Sequence, residues 1–292
     1  MIIKFTKEDL KKLWRPRDDS SGEENGQIVI IGGSELFWGA PLLSLVAASR
    51  LVDLVYLASP QSQKTVAENT ALFSRLKSVI WVPREDLDKY IEKSDAILIG
   101  PGLMRYKKEG EIKMDEAGAE TRELTEKLLK RFPNKKWVID GGSLQVMDPA
   151  WIPKNAIVTP NGKEMKILFS TSPLTPLQNF GEGNGRGEVM EDLAKKYHCV
   201  IVFKGPTGFV SDGDTTYEIN GGNAGLTKGG TGDVLAGLTV GLLAKNPPLL
   251  AAAAASFVIK KTAEVLYQEA GYSFSSDDVA ERVFKIMKSL SH

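Results

Sequence analysis

From residue 28 onward, short runs of consecutive apolar and β-branched residues alternate with longer stretches of helical periodicity. The runs at 28–31, 54–58, 79–82, 96–99, 137–140, 157–159 and 199–203 are mostly unbroken apolar segments. Such runs mark strands buried on both faces of a parallel sheet rather than half-exposed antiparallel ones. Helical patterns near 40–51, 63–76, 86–94, 121–132 and 187–197 separate them. Repeated strand and helix predict an α/β fold, a central and mostly parallel sheet covered by helices on both faces.

After residue 203 the pattern changes. Segments 208–211 and 215–219 flank Asp212-Gly213-Asp214, which predicts a β-hairpin. A glycine-rich loop follows, then helices near 234–245, 249–270 and 277–290. Polar residues 15–27 are expected to cover the sheet edge or its entrance, and the polar segments 103–120 and 170–186 read as lids or surface insertions. With no internal repeat and no low-complexity linker, a single domain over 1–292 is the expectation.

Composition narrows the chemistry. Cys199 is the only cysteine, so no intramolecular disulfide can form and a cytoplasmic setting is expected. His198 and His292 are the only histidines, too few for a histidine-rich metal site. Lys and Arg number 37 against 37 Asp and Glu, which gives no electrostatic basis for binding nucleic acid or an anionic membrane. The first residues carry no apolar leader core, and the longest apolar stretch, 249–259, is well short of the roughly 20 residues a membrane span needs. Carboxylates, backbone amides and lysines are left to do any chemistry.

They converge at Lys228-Gly229-Gly230-Thr231-Gly232-Asp233, followed at once by an apolar helix. Glycines let successive N–H groups turn toward one point, and a helix start adds unpaired donors and a positive dipole end. An anion hole at Gly230, Thr231 and Gly232 follows. Asp233 reads in two ways: as a helix cap, or as a base that removes a proton from a substrate hydroxyl while the amides stabilise a transferring phosphoryl group. This is not a P-loop, because no GxxxxGK[ST] occurs and Lys228 precedes the glycines. Gly32-Gly33-Ser34 does not fit GxGxxG and reads as an ordinary strand-to-helix turn.

The GGTGDVLAG segment resembles the signature of the ribokinase-like superfamily. Further segments narrow the resemblance to the ADP- or ATP-dependent NAD(P)H-hydrate dehydratases: an N-terminal helix with a polar run and then GQIVIIGGS, WGAPLLSLVAASR, DAILIGPGL, WVIDGGSL, IVTPNGKEM, VFKGPTGFVSDG and GGNAGLTKGGTGDVLAGLTVGLLA. These span nearly the whole chain. The resemblance implies a ribokinase-like fold and a lyase that restores (6S)-hydrated NADH or NADPH (NADHX or NADPHX), with ADP or ATP as co-substrate and Mg²⁺ as cofactor. It implies Asp233 as catalytic base, and a substrate site formed by Ala40, Gly102, Asn161 and Asp233. For the nucleotide it implies Lys204, Gly205, Pro206, Thr207, Gly208 and Gly232. A homo-oligomer, often a tetramer in the family, and a separate epimerase acting alongside are implied too, since no epimerase domain is recognised in this chain.

One position departs. Where the dehydratases carry a histidine, this chain has Asn161, within Thr159-Pro160-Asn161-Gly162-Lys163-Glu164. That segment resembles the motif of vitamin and sugar kinases of the same superfamily, in which the glutamate organises magnesium through water. Asn161 keeps hydrogen-bonding capacity but cannot carry a proton, and Glu164 becomes a candidate to support a hydrated Mg²⁺, with helix capping its ordinary role. The segment 49–60 also lacks the glycine-rich turn frequent in the family. A small-molecule kinase is therefore the rival reading, and a nucleotide-binding sensor without turnover the third. The GGS, GAP and GPGL segments oppose the first, and the intact GGTGD opposes the second.

Overall fold

The computed structural model describes residues 2–60, 79–106, 116–170 and 186–291. Ten strands form one sheet among the described residues: β1 (Ile2–Lys4), β2 (Gln27–Ile31), β3 (Leu54–Ala58), β4 (Val79–Trp81), β5 (Ala96–Ile99), β6 (Lys136–Ile139), β7 (Ile157–Val158), β8 (Val200–Phe203), β9 (Gly208–Ser211) and β10 (Thr216–Ile219), in the order β1-β10-β9-β8-β7-β6-β5-β2-β3-β4. Every neighbouring pair is parallel except the two that β9 makes, with β8 and β10.

The unbroken apolar runs are explained by two cores. Ile28, Ile30, Leu57 and Leu98 face one, while Val29, Ile31, Tyr56, Ile97 and Ile99 face the other, because successive strand residues point to opposite faces. The first core is closed by α1 (Gly39–Ala48) and by α7 (Thr231–Leu243), α8 (Pro248–Ala270) and α9 (Ser276–Ser291). The second is closed by α2 (Leu87–Lys93), α3 (Glu116–Arg131), α4 (Gly141–Val146), α5 (Gly162–Phe169) and α6 (Arg186–Tyr197). Helices on both faces of a mostly parallel sheet match the expected architecture.

Several local expectations change. The N-terminus is not helical from its start: Ile2–Lys4 pairs with β10 at the sheet edge, and Lys7–Lys12 forms a 3₁₀ turn opened by reciprocal Thr6 and Asp9 hydrogen bonds. Residues around 25–27 lie at the amino ends of β2, β3 and β5, where Asn25 and Gln27 donate N–H bonds to Asp53 and Asp95, rather than at the entrance of a site. The two short helices α4 and α5 follow Asp140 and Asn161 and open on Gly141-Gly142 and Gly162, where glycine weakens intrinsic propensity and hides them in the sequence. Helix α3 begins at Glu116, ahead of its expected start. The helix expected at 63–76 and most of the polar segment 170–186 lie outside the described residues. Among the described residues no helix is long and apolar enough to cross a membrane.

Candidate active site

A cavity of about 940 Å³ opens at the carboxyl ends of the parallel strands, the place where open α/β sheets take ligands. Its walls come from the turns after β5, β6, β7 and β8 and from the loop that leads into α7. Ala40, Gly102, Asn161, Glu164, Lys204, Gly205, Pro206, Gly208, Gly230, Thr231, Gly232 and Asp233 all line it. Of the residues expected at the site, Thr207 alone is absent from the lining.

The glycine loop has the geometry of an anion hole. Gly230 sits at φ +94° as the N-cap of α7, and an added methyl would meet Leu43 Cδ1 at 2.5 Å and Ser276 Oγ at 2.7 Å, so only glycine fits this turn. The N–H groups of Gly229, Gly230 and Gly232 have no acceptor among the described residues. Thr231 behaves otherwise. Its hydroxyl donates to the carbonyls of Leu226 (2.7 Å) and Lys228 (2.9 Å), and its N–H bonds Lys228 O at 3.3 Å. Thr231 therefore braces the loop instead of offering donors to an anion, a correction to its expected place in the hole. Lys228 also braces the loop, donating to the carbonyls of Tyr272 and Phe274 and tying it to the segment before α9.

Asp233 does not cap its helix. Gly230 holds that position, and Asp233 stands in the first turn of α7 with its main-chain carbonyl accepting a bond from Ser44 Oγ of α1 at 2.7 Å. Burial pushes its carboxyl up to about 7, reinforced by the nearby carboxylates of Asp140 and Glu164 and opposed by Lys204. A carboxyl with a pKa near neutrality, beside unpaired amides, has the properties of a general base.

Next to it lies an ionic cluster that sequence reasoning only half found. Lys204 Nζ is 2.7 Å from Asp140 Oδ1 and 3.5 Å from Glu164 Oε2. Asp140 also accepts from Thr159 Oγ1 at 2.6 Å. Burial, the largest single influence, depresses Lys204, yet Asp140, Glu164 and Asp233 together hold its ammonium above its ordinary value. A methyl placed on Gly232 would lie 3.4 Å from Lys204 Nζ, so the ammonium adjoins the hole. Asp140 was missed as a site residue. Its signal was its place, a lone carboxylate closing the apolar run of β6 at the ligand end of the sheet.

Asn161 and Glu164 form a capping box at the start of α5. Asn161 Oδ1 accepts from the N–H groups of Lys163 (2.9 Å) and Glu164 (3.0 Å), and Glu164 Oε2 accepts from Asn161 N–H at 2.8 Å. Glu164 Oε1 accepts from Gln145 Nε2 at 3.3 Å. Asn161 thus keeps its amide N–H groups for a ligand, while both oxygens of Glu164 are engaged. Among the described residues no group of three or more His, Cys, Asp or Glu could hold a metal ion. Glu164, both of whose oxygens are already bonded within the protein, is the residue that would support a hydrated magnesium ion, through water.

Known proteins resemble this chain over nearly its whole length. The family model Carb_kinase, described as NAD(P)H-hydrate dehydratase, matches residues 28–285. The chain is 32% identical to the ADP-dependent (S)-NAD(P)H-hydrate dehydratase of Nitrosopumilus maritimus, over 96% of this chain and 94% of that one. It is 34% identical to the protein of the same description from Cenarchaeum symbiosum, over 93% and 92%. Among solved structures, the Bacillus subtilis ADP/ATP-dependent NAD(P)H-hydrate dehydratase co-crystallised with ATP and Mg²⁺ superposes with a TM-score of 0.77 at 21% identity, covering 98% of both chains. A ribokinase-like superfamily protein from Enterococcus faecalis gives 0.77 at 22% identity, covering 99% of this chain and 96% of that one.

Proposed function

Because the chain belongs to the NAD(P)H-hydrate dehydratase family, we propose that its cavity carries out that family's nucleotide-driven repair of hydrated NADH and NADPH, with ADP as phosphoryl donor. The observation that carries this reading is the placement of Asp233, a half-buried carboxyl raised toward neutrality, beside unpaired amides at the start of α7. The choice of ADP is supported by the two archaeal relatives described as ADP-dependent.

In the proposed mechanism the hydrated ring rests toward Ala40, Gly102 and Asn161, and the nucleotide toward Lys204 to Gly208 and the glycine loop. Asp233 accepts the proton of the ring hydroxyl as its oxygen bonds to the β-phosphorus of ADP. The bond from that phosphorus to the bridging oxygen breaks, and AMP leaves. The N–H groups of Gly230 and Gly232, with the Lys204 ammonium, stabilise charge on the transferring group. Phosphate then departs with the carbon–oxygen bond electrons, the ring nitrogen supplies electron density, and loss of the neighbouring carbon's proton restores the double bond. The balance is ADP plus hydrated dinucleotide giving AMP, phosphate and dihydronicotinamide. Magnesium, when bound, would neutralise phosphate charge, with Glu164 reaching its waters.

The kinase reading shares every part of this site but ends on a stable phosphorylated product. It is favoured only by Asn161 and Glu164, and their capping box accounts for that pair without a kinase substrate. The tetramer, the separate epimerase and the cytoplasmic location are carried as parts of the dehydratase reading. Protein mixed with hydrated NADH, Mg²⁺ and either ADP or ATP should restore dihydronicotinamide absorbance, faster with ADP. No restoration with either nucleotide, together with phosphorylation of a vitamin precursor, would replace this reading by the kinase.

A further inference from the structure

We propose that Lys260 is a positioning residue for nucleotide binding: its ammonium joins the two loops that border the nucleotide side of the cavity and fixes their spacing. The inference rests on the reading of that side as the nucleotide's. Lys260 sits in the middle of α8, 7% exposed, and lines the cavity. Its Nζ donates to Gly205 O (3.1 Å) and Pro206 O (2.5 Å) of the β8–β9 turn and to Gly221 O (3.1 Å) of the loop after β10. These bonds use all three of its donors, so its part is to place main chain and not to touch ligand.

The surroundings are built around this side chain. A methyl on Gly208 would lie 3.3 Å from Lys260 Cε, and one on Gly222 would lie 3.1 Å from its Cγ. The same face of α8 grips the second loop again: Glu264 accepts from Gly222 N–H at 3.0 Å, and Ala263 O accepts from Asn223 Nδ2 at 2.7 Å. That loop runs directly through Ala224–Thr227 into the glycine loop. Among the described residues no other donor reaches the carbonyls of Gly205, Pro206 and Gly221. Three carbonyl dipoles converging from two segments repel one another, and a buried cation is what reconciles them. Without it, polar groups are left unpaired and the loops part.

A consequence for pH follows from the burial of the site. Burial lowers Lys260 to about 8, against the attraction of Glu264 and with the repulsion of Lys261. Above that pH the amine keeps two N–H groups for three carbonyls. Lys204, Lys228 and Asp233 also line the cavity, so the comparison must hold them constant.

The test is calorimetric binding of ADP between pH 6.5 and 9.5 to the whole protein and to its Lys260→Met and Lys260→Arg variants. The wild type should lose affinity as pH rises through about 8. Lys260→Arg, whose charge persists throughout, should bind comparably at pH 7 and lack this limb. Lys260→Met should bind roughly tenfold or more weakly at every pH. A wild-type profile identical to that of Lys260→Arg, or Met-variant affinity equal to wild type, overturns the proposal, as does a wild type that binds no ADP. If Lys260→Met does not fold, the wild-type and Arg profiles decide alone. ADP binding with this pattern but no restoration of NADH would sink the dehydratase reading and leave the role of Lys260 standing.

Discussion

Asp233 is in a costly state, and two predictions follow from its sign. An unfolded aspartate releases its proton near its ordinary value of 3.8, while the folded carboxyl keeps it up to about 7. Between those values the unfolded state binds fewer protons, so stability falls as pH rises. Asp233→Asn should therefore melt higher than wild type at pH 8 and show no such advantage near pH 3.5, as scanning calorimetry can measure, while dehydration is lost. Activity runs the other way, because the base must be ionised: kcat/KM should rise through about pH 7. Lys204 holds that value down, so Lys204→Met should move the activity limb to higher pH. It should also destabilise the protein by roughly 3 kcal/mol, because Asp140 would remain buried without its partner; chemical denaturation would measure this loss. At this scale the sequence was only partly legible. Asp233 and Lys204 stood in segments whose composition announced them, whereas Asp140 and Lys260 act through contacts across 64 and 55 positions or fewer, which no local pattern encodes. Lys260 left one trace, a charge that ends the apolar run 249–259 and is followed at once by Lys261.

Elements were more legible than residues where burial wrote the pattern. The unbroken apolar strands follow from burial on both faces of one sheet, and the long helices α7, α8 and α9 from covering one of those faces. Helices α4 and α5 stayed hidden, since their definition comes from glycine turns and, for α5, from the capping pair Asn161 and Glu164 rather than from periodicity. Close approach is the other property invisible in one dimension. Helices α1 and α7 touch so closely that a methyl on Gly237 would lie 2.1 Å from Ser44 O. Alanine in place of a helical glycine gains about 1 kcal/mol of propensity, but overpacking against a fixed backbone costs typically 1–3 kcal/mol. Gly237→Ala should therefore lower the melting temperature, and by moving the Ser44 anchor of Asp233 it should reduce turnover as well. Gly230→Ala faces both a positive φ and two close contacts; a loss of about 2 kcal/mol or more is expected, with weakened nucleotide binding.

At the scale of the whole molecule, the scarcity of cysteine and histidine acquires a structural meaning. Cys199 is buried with its thiol pushed up to about 12, and His198 lies on the surface between α6 and β8. Neither approaches the cavity, whose chemistry rests on carboxylates, lysines and main-chain amides arranged at one end of a parallel sheet. Where the resemblance implies a histidine the chain has Asn161, already committed through its carbonyl oxygen to capping α5, and in the proposed mechanism proton transfer falls to Asp233. The central claim, that this site couples phosphoryl transfer to dehydration, is tested most directly by measuring phosphate released and NADH restored together from hydrated NADH, ADP and Mg²⁺. The account predicts one phosphate for each NADH, with both signals absent in Asp233→Asn. Restoration of NADH without phosphate release, or consumption of ADP with the phosphoryl group retained on a stable product, would contradict it.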